Sequence, residues 1–470
     1  MRKFLIAILC FVPLLCQAQS LEEVIRLAQD STLTAFQSRY EFEFHAQRFA
    51  QFEALRKPQL ELNVTPNYQR MISDPTRTYV YLRNYDRFST AAQLKLSQKV
   101  LGLGGDAYVE SQAIWSEYFG RDANNTRTRD IVALPLAVGY QQPLVGFNAH
   151  RWEKTVEDLR LEAARKQLDY DLRRIAEEAT VRYFRLACAQ GMLDMCLRNK
   201  QTADTLYAIA KEKASIAIVT LAELRSLELQ RLNAANALLS ARNEEQLARE
   251  SLAAYLRTDP QSFRGRLTVP DGTRLLYLTE EDALDLARRH SPAVQQKQTD
   301  LTEALQQQQK TRREQGVKVG VDLSMGMQQL SNTFVGAYRD PQFFMLGSVS
   351  LRIPLMDHGA AKRGNAAAAA WVSREELALR ETERALEEDV RTTLDNLRAH
   401  EEMLAHTAEA VAMADEVFEL TAENYANGLC DINTYSLAQN RRDSAYNQHL
   451  SALAGYWTMY YHLLTLTQYE

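Results

Sequence analysis

Two spacings of hydrophobic residues divide the chain. In four stretches apolar side chains recur at every second position: Leu60, Leu62, Val64 and Tyr68; Val132, Leu134, Leu136, Val138 and Tyr140; Val317, Val319, Val321, Leu323 and Met325; and Val349, Leu351 and Ile353. Period two with small or polar residues between predicts strands of a half-exposed sheet, with Val132 to Tyr140 sharing one face. Three of these stretches span nine residues, matching the ~9–11 that a tilted membrane strand needs. A soluble sandwich would require many more strands than the four to six present.

Elsewhere the spacing is seven. Val390, Leu397, Leu404, Val411 and Phe418 follow it without a break, and Leu161, Leu168 and Ile175 repeat it earlier. Sustained sevens predict a coiled-coil seam. The helix-favouring stretches run from Pro143 to about Lys213 and from Pro354 to about Asn427. About 70 residues at 1.5 Å per residue gives roughly 105 Å. Each long helix ends at a turn, clearest at Asn427-Gly428, and is followed by a second helix of about forty residues, roughly 60 Å long. The helices leading into the strands, near 21–57 and 279–315, add about 57 Å at the same rise. Two shorter helices end to end thus match one long one, a rod built twice.

The chain repeats itself. Leu21-Glu22-Glu23-Val24-Ile25-Arg26-Leu27-Ala28 returns 259 residues later as Glu280-Glu281-Asp282-Ala283-Leu284-Asp285-Leu286-Ala287. A second landmark, Gln142-Pro143-Leu144, returns after 211 residues as Ile353-Pro354-Leu355. The difference, 259 − 211, is an insertion of 48 residues in the first copy. It carries its own alternation at Leu94 and Leu96 and a glycine-rich turn, Leu101-Gly102-Leu103-Gly104-Gly105, which predict an extra hairpin near 75–122. A polar loop with a sequon at Asn124 follows. The expected organisation is a leader over 1–18, a first repeat over 19–269 and a second over 270–470.

The N-terminus reads as a secretory leader: Arg2 and Lys3, an apolar run from Phe4 to Leu15, and Ala18 at a suitable cleavage position. A lipoprotein anchor at Cys16 is disfavoured by the bulk of Leu15. Cys188, Cys196 and Cys430 remain after cleavage. The first two are eight residues apart in a helical stretch, roughly 12 Å, too far for a disulfide. The formal charge of −5 becomes −7 without Arg2 and Lys3, and no long basic stretch survives, so nucleic acid is excluded as a partner.

Candidate chemistry is sparse. The glycine-rich turn lacks the Lys-Ser/Thr of a phosphate cradle and sits between strands. His400 and His406, six apart, point from different faces of a helix. Glu387-Glu388-Asp389 is a charge run on a coiled coil, ordinarily a solvated face. Trp115, Tyr118 and Phe119, with Tyr79, Tyr81 and Tyr85, could form an interfacial girdle or pack a loop, and the residues leave both open. No catalytic, cofactor-binding or metal-ligating set stands out, and no enzyme is expected.

Several of these segments resemble the TolC type of outer membrane efflux protein. Leu21 to Ala28 resembles that family's opening helix, Lys57-Pro58-Gln59-Leu60 its helix-to-strand junction, and Pro354-Leu355 through Gly359 its strand-to-helix junction. Tyr425-Ala426-Asn427-Gly428, continuing to Ala438-Gln439, is similar to its periplasmic tip. The resemblance spans about 20–468. It implies a mainly helical fold with membrane strands: long coiled-coil hairpins forming an α-barrel, plus a β-barrel shared by a homotrimer. It implies an outer membrane exit duct reaching into the periplasm, with outer membrane lipid, a periplasmic adaptor and an inner-membrane transporter as partners, and no cofactor. By the same resemblance Tyr425, Gly428, Asp431 and Thr434 belong to the periplasmic tip or gate, and Ser215 to the first-repeat tip, where a glycine is usual. Thr434 and Leu437 stand where family members carry gating aspartates, Asp431 is the nearest acid, and Cys430 would lie near the three-fold axis or on the docking face. The insertion leaves four or six barrel strands per protomer open. The alternative is a periplasmic coiled-coil adaptor or structural rod, disfavoured because an adaptor has one helical hairpin with a lipoyl-like domain between its halves.

Overall fold

The computed structural model describes residues 20–71, 85–100, 102, 104–120, 128–215, 220–270, 274, 278–427 and 429–469. The leader, the sequon and part of the predicted polar loop lie outside the described residues. The elements in order are α1 (Leu21–Ser31), α2 (Leu33–Leu55), β1 (Gln59–Met71), β2 (Tyr85–Val100), β3 (Gly105–Gly120), β4 (Thr128–Val145), α3 (Ala149–Ser215) and α4 (Leu221–Leu256). Then follow α5 (Glu280–His290), α6 (Pro292–Glu314), β5 (Lys318–Ser331), the short α7 (Gly336–Arg339), β6 (Gln342–Arg352), α8 (Ala360–Ala426) and α9 (Ile432–Thr467).

The helix lengths match in pairs. α1 and α5 have 11 residues each, α2 and α6 have 23. The long helices α3 and α8 have 67 each, and α4 and α9 have 36. Local chemistry explains the boundaries. Ser20, Thr220 and Thr279 cap α1, α4 and α5 through their side-chain oxygens. The helix expected over 21–57 breaks at Thr32, whose hydroxyl donates to the Ala28 carbonyl and accepts from the Ala35 amide. Ser291 makes the equivalent break, with Pro292 opening α6, where its missing N–H costs nothing.

The chain forms two compact units. The first, comprising the N-terminal segment to Phe42 with 164–294 and 381–470, is helical. Its core gathers Val24, Ile175, Tyr183, Leu252, Leu256, Val390, Leu397, Leu404, Tyr456 and Leu463. The predicted seam is therefore buried inside one chain at Val390 (0% exposed), Leu397 and Leu404 (7% each), and only half-buried at Val411 and Phe418. Cys188, Cys196 and Cys430 are free thiols. No described helix is long and apolar enough to cross a membrane.

The second unit, 43–163 with 295–380, carries a six-stranded antiparallel sheet in chain order, β1-β2-β3-β4-β5-β6. The inserted hairpin is β2 and β3. It lies between β1 and β4, and its turn joins Val100 to Gly105. The register sorts the side chains, because directly opposed residues share a face. Leu60, Leu96, Val109, Val138, Met325 and Met345 form one apolar row. Lys95 opposes Glu61 and Glu110 on the other face.

The alternation expected from Val132 to Tyr140 does not keep one face. The register shifts between Ala133 and Leu136, leaving Pro135 in the irregularity, where a residue without an N–H is tolerated. Leu134 therefore opposes Gln112 on the polar face, while Leu136, Val138 and Tyr140 stay on the apolar one. Trp115 and Phe119, of the predicted aromatic girdle, lie on the apolar face, each 37% exposed, and Tyr118 opposes Arg87 on the polar face. Tyr79 and Tyr81 lie outside the described residues.

Candidate functional site

The second-repeat turn begins where α8 ends. The Asn427 amide donates to the Glu423 carbonyl at 3.0 Å and the Leu429 amide to that of Asn424 at 2.8 Å, closing the helix. Gly428 lies outside the described residues. Asp431 then caps α9: its Oδ1 accepts from the Thr434 amide at 2.9 Å and from the Thr434 hydroxyl at 2.6 Å. These bonds to Thr434 hold the Asp431 carboxyl below its usual range. The charge favours the helix N-terminus as well as the cap.

Behind the cap is an aromatic cluster. Tyr435 is buried, with its ring 5.3 Å from that of Tyr425 and 5.5 Å from that of Phe418. The Arg442 guanidinium lies 4.0 Å from the Phe418 ring centroid. Arg442 also donates to Asn199 of α3 at 3.2 Å and to Asp443 at 3.1 Å, and Asn199 donates in turn to Asp443. Gln230 of α4 donates to Ser436 of α9 at 3.1 Å. Burial raises the Tyr425 and Tyr435 hydroxyls above their ordinary pKa, with nearby Glu223 adding to the rise at Tyr425.

The structure thus brings Tyr425, Asp431 and Thr434 together. Ser215 closes α3, and its side chain and residues 216–219 lie outside the described residues. α4 is started by a reciprocal pair, the Glu223 amide donating to the Thr220 hydroxyl at 3.2 Å and the Thr220 amide to the Glu223 carboxylate at 2.9 Å. Both turns carry an exposed leucine beside the cap, Leu221 (71%) and Leu429 (74%). Cys430 is half-buried and its thiol faces the Thr421 carbonyl of its own α8 at 3.6 Å. Sequence reasoning passed over Arg442, Asn199 and Asp443. The available signal was Arg442 itself, seven residues after Tyr435 and so on the buried stripe of α9.

Nothing in this arrangement activates a nucleophile or gathers metal ligands: among the described residues no group of three or more His, Cys, Asp or Glu could hold a metal ion. It is a braced turn with an anchored carboxylate and an exposed leucine, Leu429.

Residues 283–467 match the family model for outer membrane efflux proteins. No curated protein sequence matches the chain. Among solved structures, the outer membrane protein VceC of Vibrio cholerae superposes with a TM-score of 0.67 at 13% identity, covering 95% of this chain and 96% of that one. The CmeC outer membrane channel of Campylobacter jejuni gives 0.67 at 11% identity, covering 95% and 85%. The open state of the MtrE outer membrane channel of Neisseria gonorrhoeae gives 0.63 at 15% identity, covering 95% and 88%. Paired long helices with an antiparallel sheet are the fold shared across these chains.

Proposed function

We propose that the chain, a member of the outer membrane efflux protein family through residues 283–467, is a passive exit duct running from the periplasm through the outer membrane. The observation that carries this reading is the sheet. Its apolar face is exposed, with Leu62 at 66%, Met345 at 67% and Val349 at 72%. Its outer strands β1 and β6 pair on one side only, with β2 and β5. Lipid tolerates the apolar face but not open strand edges, so the sheet must close with further copies. A homotrimer supplies them, and its helical hairpins would continue the duct into the periplasm.

On this reading residues 19–269 and 270–470 are the two structural repeats. The turns around Ser215 and around Tyr425, Gly428, Asp431 and Thr434 form the periplasmic mouth and meet a periplasmic adaptor and, through it, an inner-membrane transporter. The exposed Leu221 and Leu429 suit such a contact. The mouth differs from one ringed by free aspartates: Asp431 keeps its charge but is bound in its cap, and Thr434 and Leu437 are uncharged.

The experiment is fractionation. The protein is expected with outer membranes after a high-salt wash, running as a heat-modifiable trimer in detergent extracts. Release as a soluble monomer without detergent overturns the duct and favours a periplasmic adaptor or rod.

A further inference from the structure

The duct reading leaves one part of the chain without a role, the 48-residue insertion of the first repeat. We propose that the inserted hairpin, β2 with β3, is membrane wall: its apolar side faces lipid acyl chains and its polar side faces the lumen. Each protomer then contributes six strands, and a three-fold barrel has eighteen. The inference rests on the duct reading and adds the width and lipid boundary of that duct.

Position is the first argument. A decorative hairpin would lie over a sheet or hang from its end. This one is spliced into the sheet, with β2 paired to β1 from Ser97–Gln59 to Tyr85–Met71, and β3 to β4 from Asp106–Gln141 to Tyr118–Thr128. Two strands are also the smallest insertion that preserves closure. With six antiparallel strands in chain order, β1 and β6 run in opposite directions. The β6 of one copy therefore meets the β1 of the next antiparallel, as bacterial barrels require.

The second argument is the continuity of both faces. On the apolar face Leu62 opposes Leu94, Val64 opposes Ala92, and Ala92 opposes Ala113. Trp115 opposes Ile131, which with Ala133 is buried against Ala337 of α7, and Leu136 opposes Met327 on the open part of the face. From the row of Leu60 to the row of Pro66 no strand places a charged side chain on this face. Charges begin only beyond, with Arg129 on Glu117 at 3.7 Å. Along β2 the charge-free rows run from Thr90 to Gln98, close to the ~9–11 residues of a tilted membrane strand. Leu94 and Leu96 remain 44% and 40% exposed, so the protomer itself leaves them open.

The hairpin's other side is equally integrated. Gln93 donates to Glu110 at 2.6 Å, and the Lys95 ammonium sits 4.5 Å from the Tyr108 ring centroid. Tyr108 of β3 lies across Gly139 of β4, where a β-carbon would strike its ring. On the same face Gln141 donates to Asp322 at 2.8 Å. Charge on one side and none on the other is the division expected between a wet lumen and lipid. A charge-free band of membrane height with charges at its end fits acyl chains better than a protein partner. Barrel diameter grows roughly linearly with strand number, so eighteen strands give a pore about one and a half times as wide as twelve.

Three variants of the full chain test this by yield of membrane-inserted, heat-modifiable trimer. Leu94→Arg on the hairpin and Val321→Arg on β5 should each lower the yield about tenfold or more, as expected for Arg facing mid-bilayer lipid. Gln93→Arg, one residue away on the polar side, should leave it near wild type. Loss with Val321→Arg but not with Leu94→Arg overturns the wall hairpin and leaves the duct standing. Tolerance of all three overturns the duct itself. Single cysteines avoid reliance on assembly. With Cys188, Cys196 and Cys430 replaced by Ala, Leu94→Cys should resist a water-soluble maleimide in intact membranes, and a fluorophore placed there should be quenched by spin-labelled lipid. Lys95→Cys should label freely. Equal labelling at 94 and 95 overturns the proposal, as does protection at 94 without lipid quenching, which would mean that protein covers this face.

Discussion

The helical unit and the sheet unit solve the same problem, hiding apolar surface, in opposite ways. In the helical unit Val24, Leu252 and Val390 are all fully buried within one chain. In the sheet unit Leu62, Met345 and Val349 are each more than three-fifths exposed. The first unit has a complete core at the level of the protomer, so its stability is a property of a single chain. Among the described residues the second has only a small buried cluster, Ile131, Ala133 and Ala337, and its apolar face becomes an asset only in an apolar phase with its edges closed. Apolar side chains can thus specify a self-contained fold or a membrane element. The period of the pattern decides between them: at seven, helices bury one another, whereas at two a sheet keeps one face for another phase.

The strongest way to break this comparison is to damage the self-contained core. Leu397→Ala and Leu404→Ala each should cost about 2–5 kcal/mol. Seven residues apart on α8, about 10 Å along the axis, their effects should nearly add. Thermal or denaturant unfolding in detergent, followed by helical circular dichroism, is expected to show a large loss of helical stability. The barrel strands should still insert. Unchanged helix unfolding with a weakened trimer would place this seam between protomers and remove the contrast.

The next test strikes the open face. Met345→Arg, opposite Met325 on the apolar face of β6, should cost about 2–4 kcal/mol if it lies at mid-bilayer. Leu134→Arg on the polar side of the β4 irregularity should cost much less. Heat-modifiability of the two variants checks it. Equal losses would mean that the register shift at Pro135 does not separate the two faces.

That irregularity marks the limit of what the sequence conveys about the fold. The strands and long helices were legible because period two and period seven each persist over many residues, and the alternation at Leu94 and Leu96 beside the glycine-rich turn marked a hairpin there. The face of Leu134 was not legible, because apolar residues continue at every second position through the irregularity and local alternation hides a register shift. At the candidate site the cap was half legible: an Asp three residues before Thr434 is a known helix start, but the same position also suits an acid near a gate, and local sequence does not separate the two. The brace behind it, Arg442 with Asn199, joins residues 243 positions apart. No local pattern announces such a pair.

A smaller effect is expected at the turn. Asp431→Ala should cost about 0.5–2 kcal/mol by removing the cap of α9. Asp431→Asn keeps an accepting oxygen and should lose little stability. Dye accumulation in a strain relying on this protein, read beside trimer yield, separates cap from charge. Retained efflux in the Asn variant with loss in the Ala variant marks Asp431 as a structural cap. Equal loss of efflux in both would mean that its negative charge acts directly at the mouth.

The smallest expected effect concerns pH and belongs to the self-contained unit alone. His462 on α9 faces two carboxylates, with Nδ1 3.1 Å from Glu177 of α3 and Nε2 3.6 Å from Asp389 of α8. The hydrogen bond to Glu177 raises the His462 pKa above its ordinary value near 6.5, against the opposing effect of burial. A raised folded-state pKa means that the folded state holds its proton more tightly than the unfolded chain. The pairing therefore contributes in full below about pH 6.5 and is lost as pH rises through the raised value. Melting of the helical signal should fall between about pH 6 and about pH 8, with a shallower slope in His462→Gln, whose amide does not titrate. The sheet offers the internal control: resistance of the proposed trimer to heat should show no matching change when His462 is replaced. A His462→Gln protein with the full wild-type slope would show that this ion pair is not the source of the pH dependence.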